Sequence, residues 1–169
     1  MKTEVTTIDG YLPDKYGKYA DPINKNNNHP KVSFPIKIIE IPKNTKTWAL
    51  TFVDFDAVPV CGFVWIHWLA ANIPSNIKYL PENASLNNEI SMVQGSNSSA
   101  GKLIGQPDIL QSHRYIGPTP PDKDHIYTLT IYALDTTLDL KDGYWLNDFL
   151  KKSENHIIKT NTLNIRSRS

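Results

Sequence analysis

The order of apolar and polar positions along the chain predicts a protein made mainly of β-strands. Strand-like runs cover residues 32–41, 47–55, 62–72 and 125–134. The run at 47–55 alternates in the manner of a half-buried strand, whereas 62–72 is apolar almost throughout and predicts a central strand covered on both faces. Pro35 interrupts the first run, which places that run at a sheet edge or at a bulge.

A helix is predicted near the end of the chain, over residues 143–158, because side chains recur there at i, i+3, i+4 spacing. The stripe consists of Leu146, Phe149, Leu150, Ser153 and Ile157. Shorter strands are expected at 89–93 and 163–165. Residues 94–124 are rich in glycine and proline and predict a long loop, which is an uncommon and often functional feature.

These elements predict a single domain over residues 1–169, with a large antiparallel sheet and a late helix that covers one face. Residues 9–31 are polar and contain the run Asn26-Asn27-Asn28. We expect irregular surface chain there, and residues 1–31 to be largely irregular, since such a composition buries little apolar area.

The composition narrows the classes of function. Of the 169 residues, 40% are hydrophobic and 21% are charged, and the net charge is +1. This balance argues against nucleic acid and against an anionic membrane surface as partners. No apolar run reaches the length of a membrane span, and the first ten residues lack the apolar stretch of a secretory signal. We therefore expect a cytoplasmic protein, with no cofactor and no metal.

The single cysteine, Cys61, excludes an intramolecular disulfide and any cysteine-rich zinc spacing. The thiol is a weak candidate for a nucleophile, and a structural role is favoured. Serine-hydrolase, phosphate-loop, dinucleotide-binding and zinc-protease motifs are all missing from the sequence. The residues therefore give little support to an enzyme.

Asp54 and Asp56 stand two apart at the end of a predicted strand, so both side chains are expected on one side of the pleat. Aspartate is poor in strand interiors, and two readings remain open. The carboxylates either accept backbone N–H bonds at the strand end or lie at a pocket mouth and orient a histidine.

His67 lies within an apolar strand and is expected to share its face with Trp65, Leu69 and Ala71. It is either a hydrogen-bonded core residue or part of a binding site.

His125 and Tyr127 begin the clearest strand and follow the glycine- and proline-rich turn at 117–121. The turn is either a stiff connection or an anion nest of backbone N–H groups. An imidazole N–H and a phenol O–H that donate, beside a carboxylate that sets the histidine tautomer, suit a phosphate monoester.

Taken together, these segments resemble the signature blocks of the phosphatidylethanolamine-binding protein family, which includes the Raf kinase inhibitor protein. The first block is DFDAVP at 54–59 followed by WIHWLAANIP at 65–74. The second is GPTPP at 117–121 followed by HIY at 125–127, and GSNS at 95–98 resembles a loop between the blocks. The short gap between the aspartates and the histidine is closer to the bacterial and archaeal branch.

The resemblance implies a central antiparallel sheet, a smaller second sheet and peripheral helices. It also implies a pocket for phosphate-like anions or phospholipid headgroups. The residues that it assigns to ligand binding are Asp54, Trp65, His67, Thr119, Pro121, His125 and Tyr127. Some members of the family inhibit kinases or proteases and bacterial members are often dimeric, which leaves a protein partner and a homodimer open.

The chain also departs from the family pattern at several positions around the expected pocket. Phe55 replaces a proline, and Val58 is an insertion before the next proline. Thr119 stands where bacterial members often have cysteine, and Ile126 where many members have arginine. These changes alter the expected rim of the pocket more than its polar groups.

Three functions remain open at this point. The leading hypothesis is a binding module that holds a small anion and modulates a partner or carries the ligand. The second is a hydrolase in which Asp54 and His67 form a general-base pair acting on a bound water. The third is an interaction protein with a vestigial pocket, whose residues 9–31 or long loop bind a partner.

Overall fold

The computed structural model describes residues 1–104 and 109–169, and its centre is a five-stranded antiparallel sheet. The strands are β1 (Lys2–Glu4), β2 (Lys25–Asn26), β3 (His29–Pro30), β4 (Ile36–Glu40), β5 (Thr47–Asp54), β6 (Trp65–Pro74), β7 (Tyr79–Leu80), β8 (Val93–Gln94), β9 (His125–Leu134) and β10 (Ile157–Ser167). The α-helices are α1 (Val58–Cys61), α2 (Ala84–Asn87), α3 (Ile109–Ser112) and α4 (Leu146–Ser153), and 3₁₀ helices cover Asp14–Tyr16, Pro22–Asn24 and Ser98–Ala100.

The large sheet has the strand order β10-β9-β5-β6-β8, so β5 lies at its centre. All eight residues of β5 are buried. The prediction of a half-buried strand at 47–55 is therefore wrong, because both faces of this strand are covered. The central position predicted for 62–72 belongs to β5, and β6 lies beside it.

Two layers cover the large sheet. A smaller sheet of order β1-β4-β7 packs on one face, where Ile36, Ile38 and Leu80 meet Phe52 and Trp68 in the larger apolar core. Helix α4 packs on the other face. The mainly β fold with a large antiparallel sheet, a smaller second sheet and a late helix is thus confirmed.

Strand β6 contains two bulges, and one of them sets the direction of His67. Phe52 of β5 pairs with Trp68 and Val53 pairs with Ile66, so His67 is an extra residue between them. Because a bulge interrupts the alternation of side chains, His67 and Trp68 both face the larger core, whereas Leu69 lies in the cluster under α4. The prediction that His67 shares a face with Leu69 and Ala71 is wrong for this reason.

The end of the chain differs from the predicted pattern. The helix stops at Ser153, and Ile157 pairs with Leu134 as the first residue of β10. The predicted helix over 143–158 is therefore too long, and the strand expected at 163–165 is part of an eleven-residue strand. Similarly, the strand expected at 89–93 is reduced to Val93 and Gln94.

Residues 9–31 contain only short elements, but they help to close the core. Leu12, Tyr16 and Ala20 are buried, contrary to the expectation of surface chain. The hydroxyl of Tyr115 donates a hydrogen bond to the carbonyl oxygen of Tyr16 at 2.7 Å. Buried aromatic and aliphatic side chains thus anchor a segment whose overall composition is polar.

The segment predicted as a long loop, 94–124, begins with Gln94 of β8 and contains one 3₁₀ turn and helix α3 among its described residues. Gly105 and Pro107, part of that prediction, lie outside the described residues. The side-chain amide of Asn97 donates to the carbonyl oxygens of Gln111 and Arg114, each at 2.9 Å, and so ties the two sides of the loop together.

Candidate functional site

A cavity of about 230 Å³ opens at the end of the large sheet where β5 ends and β6 and β9 begin. It is lined by His29, Asp54, Ala57, Val60, Cys61, Trp65, His67, Thr119, Pro120, Pro121, His125 and Tyr127. All seven residues assigned to ligand binding by the sequence are among them. The antiparallel order of the strands brings residues from 29 to 127 into one concave surface.

His125 lies between two carboxylates. Its Nδ1–H donates to Oδ2 of Asp54 at 2.7 Å, and its Nε2–H donates to Oδ1 of Asp122 at 2.9 Å. Burial by itself lowers the pKa of His125, but the two carboxylates outweigh it and the pKa is raised. Since a carboxylate can only accept, this geometry corresponds to an imidazolium with both nitrogens protonated.

Asp54 combines the two roles left open by its sequence position. Its Oδ1 accepts the backbone N–H of Ala57 at 3.1 Å and so caps the turn after β5, while its Oδ2 binds His125. Asp56 lies beyond the strand and accepts the backbone N–H of Ile126 at 2.8 Å, which holds the turn against β9. Asp54 therefore does orient a histidine, but that histidine is His125 and not His67.

His67 is held by the backbone instead of a carboxylate. Its Nδ1–H donates to the carbonyl oxygen of Ile116 at 2.7 Å, and the backbone N–H of Ile116 donates to the carbonyl oxygen of His67 at 3.0 Å. Burial lowers the pKa of His67 to about 4, so the ring is neutral at pH 7. With the proton on Nδ1, Nε2 carries a lone pair.

Aromatic rings form the remaining wall of the cavity. The ring of Tyr127 meets that of His67 edge-on, with centroids 5.1 Å apart. Burial, together with the nearby charge of Asp54, raises the pKa of Tyr127, so its hydroxyl stays protonated and able to donate. Trp65 stacks on Phe63, with the ring centroids 5.8 Å apart, at the outer edge.

The turn at 117–121 fits the rigid connection better than the anion nest. Three of its five residues are prolines without an N–H, and the N–H of Gly117 donates to the carbonyl oxygen of Pro30 at 2.8 Å. A Cβ on Gly117 would lie only 2.3 Å from the carbonyl oxygen of Tyr16, so the glycine is required by close packing. Within the described contacts, this leaves Thr119 as the residue of the turn with a free backbone N–H.

Two residues of the site, Asp122 and His29, were not singled out from the sequence. Asp122 binds His125, and its position three residues before a histidine was the available signal. His29 lies in the polar segment 9–31, where no local pattern marks it. Cys61 lines the cavity from the end of α1, and its exposed thiol donates to the carbonyl oxygens of Ala57 and Phe63, each at 3.3 Å.

Exposed apolar side chains surround this end of the sheet. They are Phe55, Val58, Val60, Phe63 and Ile126. Phe55 is 55% exposed and Ile126 is 44% exposed. Three departures from the family pattern, Phe55, Val58 and Ile126, thus place apolar groups next to the polar cavity.

Within residues 1–104 and 109–169, no set of three or more His, Cys, Asp or Glu side chains is arranged to hold a metal ion. Among the helices of the same residues, none is both long enough and apolar enough to span a bilayer.

Comparison with known proteins gives consistent matches over nearly the whole chain. A family model described as phosphatidylethanolamine-binding protein matches residues 2–168. The uncharacterized protein YxkA of Bacillus subtilis is 52% identical over 158 residues, 94% of each chain. A UPF0098 protein of Methanothermobacter thermautotrophicus is 31% identical over 160 residues, 94% of this chain and 91% of the relative.

Solved structures agree with these matches. The crystal structure of CT736 from Chlamydia trachomatis, described as a putative phosphatidylethanolamine-binding protein homologue, superposes with a TM-score of 0.75 at 26% identity, covering 94% of this chain and 90% of that one. Escherichia coli YbcL, described as a new member of the mammalian family, superposes with a TM-score of 0.68 at 25% identity, covering 82% of this chain and 81% of that one.

Proposed function

Because the chain belongs to the phosphatidylethanolamine-binding protein family, we propose that it is a ligand-binding, regulatory protein whose cavity holds a small anion, either phosphate or a phospholipid headgroup. The observation that carries this proposal is the convergence of Asp54, His67, His125 and Tyr127 on one cavity of about 230 Å³. Buried polar groups that meet in a mainly apolar cavity are the usual mark of a ligand site.

Directional hydrogen bonds, more than net charge, would select the anion. The positive charge of His125 is offset by the two carboxylates that bind it. The Tyr127 hydroxyl and the hydroxyl and N–H of Thr119 are the donors on the cavity wall. The exposed apolar groups at the mouth would then contact whatever organic group the anion carries.

The Tyr127→Phe variant tests the proposal with little risk to the fold, since the ring and its packing remain. We expect it to bind inorganic phosphate about tenfold more weakly than wild type, because a hydrogen bond to a charged group contributes about 1.5 kcal/mol or more. Tyr132→Phe is the matched control, since it removes a hydroxyl from the same strand on the face covered by α4. Isothermal titration calorimetry with phosphate and phosphoethanolamine gives the affinities.

The proposal fails if wild-type protein binds neither ligand at millimolar concentration. It also fails if Tyr127→Phe and wild type bind with the same affinity.

The hydrolase hypothesis finds less support in this geometry. Asp54 is committed to His125, and the partner of His67 is the Ile116 carbonyl, so the expected general-base pair is not formed. A histidine whose pKa is about 4 is also a weak base at neutral pH. Binding is therefore the function that these contacts favour.

A further inference from the structure

The floor of the cavity offers an acceptor where a site for a fully ionised anion would offer a donor. His67 gives its one N–H to the Ile116 carbonyl, and the hydrogen bonds of the described residues include none donated to its Nε2. The ring cannot exchange the two nitrogens freely, because it is packed against Phe52 and Tyr127 and fixed by the bulge in β6.

The neighbouring charged groups are already committed to each other. Both N–H groups of His125 are used by Asp54 and Asp122, and both oxygens of Asp54 are used by His125 and the backbone N–H of Ala57. Neither residue can supply a proton to a ligand without breaking a buried hydrogen bond, which is costly. The lone pair of His67 therefore has to be matched by the ligand itself.

Building on the proposed function, we propose that the cavity selects oxyacids that bring a proton of their own, above all phosphate monoesters, and discriminates against phosphodiesters and sulfate esters. The hydroxyl of a monoanionic phosphate monoester would donate to Nε2 of His67, while its charged oxygens accept from Tyr127 and Thr119. A diester or a sulfate ester places only acceptor oxygens against the same lone pair.

The groups that face His67 from each packed element strengthen this selection. Asp54 from β5 opposes further negative charge, while the His125 imidazolium from β9 opposes protonation of the ring. Tyr127, also from β9, stays neutral because its pKa is raised, and His29 and Cys61 face the same cavity. None of these groups donates a hydrogen bond to Nε2 of His67 in the structure.

The cost of supplying that proton separates the ligand classes. At pH 7, protonating a group whose pKa is about 4 is a roughly thousandfold penalty, whereas protonating a phosphate monoester with a second pKa of about 6 is a roughly tenfold one. The monoester therefore takes up a proton from solvent as it binds, and His67 stays neutral.

Three small ligands isolate this chemistry: methyl phosphate, methyl sulfate and dimethyl phosphate. Calorimetry at pH 7 in two buffers of different ionisation enthalpy measures both affinity and proton exchange. We expect methyl phosphate to bind at least tenfold more tightly than the other two, with uptake of close to one proton. Its affinity should fall about tenfold per pH unit above pH 7.

The outcomes separate this inference from the proposed function. Equal binding of methyl phosphate and methyl sulfate without proton uptake overturns the inference and leaves an anion pocket in place. Tighter binding of dimethyl phosphate also overturns it and points to an intact diester headgroup. If none of the three ligands binds and phosphate does not either, both proposals are wrong.

A variant provides a second readout. His67→Asn keeps an N–H in position to donate to Ile116 but has no atom at the position of Nε2, so the preference for methyl phosphate over methyl sulfate should disappear. His156→Asn, at an exposed histidine paired with Asp135, is the control and should retain the preference.

Discussion

His67 and His125 line the same cavity with pKa values shifted in opposite directions, because their surroundings and hydrogen-bond partners differ. Burial keeps His67 neutral even though its hydrogen bond to the Ile116 carbonyl raises the pKa, whereas Asp54 and Asp122 raise the pKa of His125. The sequence motifs could predict that both histidines belong to one site. They could not predict the pairing of Asp54 with His125, since a strand pattern does not specify which of two nearby rings a carboxylate reaches.

The neutral state of His67 predicts a loss of stability in mild acid. Its folded-state pKa of about 4 lies below the unfolded value near 6.5, so the unfolded chain takes up the proton first as the pH falls. The contribution is complete above about pH 6.5 and is lost progressively down to pH 4, by about 3 kcal/mol. Urea unfolding measures the free energy of unfolding of wild type and His67→Asn between about pH 6.5 and pH 4. We expect the difference between the two proteins to change by about 3 kcal/mol over this range. Parallel curves would contradict the prediction.

At the scale of single elements, β6 shows how an irregular strand serves the site. Its first bulge turns His67 towards the cavity, and its second lies next to Asn72, which has a positive φ of 60°. The Asn72 side chain exchanges two hydrogen bonds with the backbone of Leu138, each 2.8 Å long. Bulges are set by tertiary contacts such as these, which explains why regular alternation predicted the strand but misjudged its faces.

The Asn72→Ala variant should cost about 3 kcal/mol of unfolding free energy. The change places Ala in left-handed backbone, which Asn tolerates better, and removes two hydrogen bonds. Asn44→Ala is the matched control, because Asn44 has a similar φ of 69° in an exposed turn, and it should cost about 1 kcal/mol. Equal losses in chemical denaturation would show that the Leu138 contacts contribute nothing.

The other element that the pattern missed is β10. Its first residues, Ile157 and Ile158, are exposed, and Ile157 continues the helical spacing of the preceding stripe. Pairing with β9 along its length decides in favour of a strand. An edge strand with one solvated face is therefore defined by its hydrogen bonds to the neighbouring strand, which the apolar pattern of its own sequence does not predict.

Over the whole molecule, the cavity depends on segments far apart in the chain. Residues 9–31 seal the core through Leu12 and Tyr16 and contribute His29 to the cavity wall. The polar composition of this segment did not predict its role, because a few buried side chains are enough to anchor a loop. The sequence motifs predicted the polar residues at the centre of the site. The contribution of residues 9–31 follows only from the folded structure.

The Gly117→Ala variant tests the contact between this segment and the turn at 117–121. The new methyl group would meet Tyr16 at 2.3 Å and Pro30 at 2.6 Å, so we expect a loss of about 2–3 kcal/mol in unfolding free energy. Gly17→Ala, whose methyl group would meet only ordinary contacts of 3.4 Å, should be near neutral. Thermal and urea denaturation compare the two, and an unaffected Gly117→Ala protein would argue against tight docking.

The stacked position of Trp65 on the cavity wall gives the protein an intrinsic optical probe. Trp48 and Trp68 are fully buried, so their emission reports only on the integrity of the core. Trp145 is 42% exposed and lies at the start of α4, outside the cavity lining. A change in tryptophan fluorescence on adding ligand to the folded protein would therefore come from Trp65, and occupancy can be followed without any label.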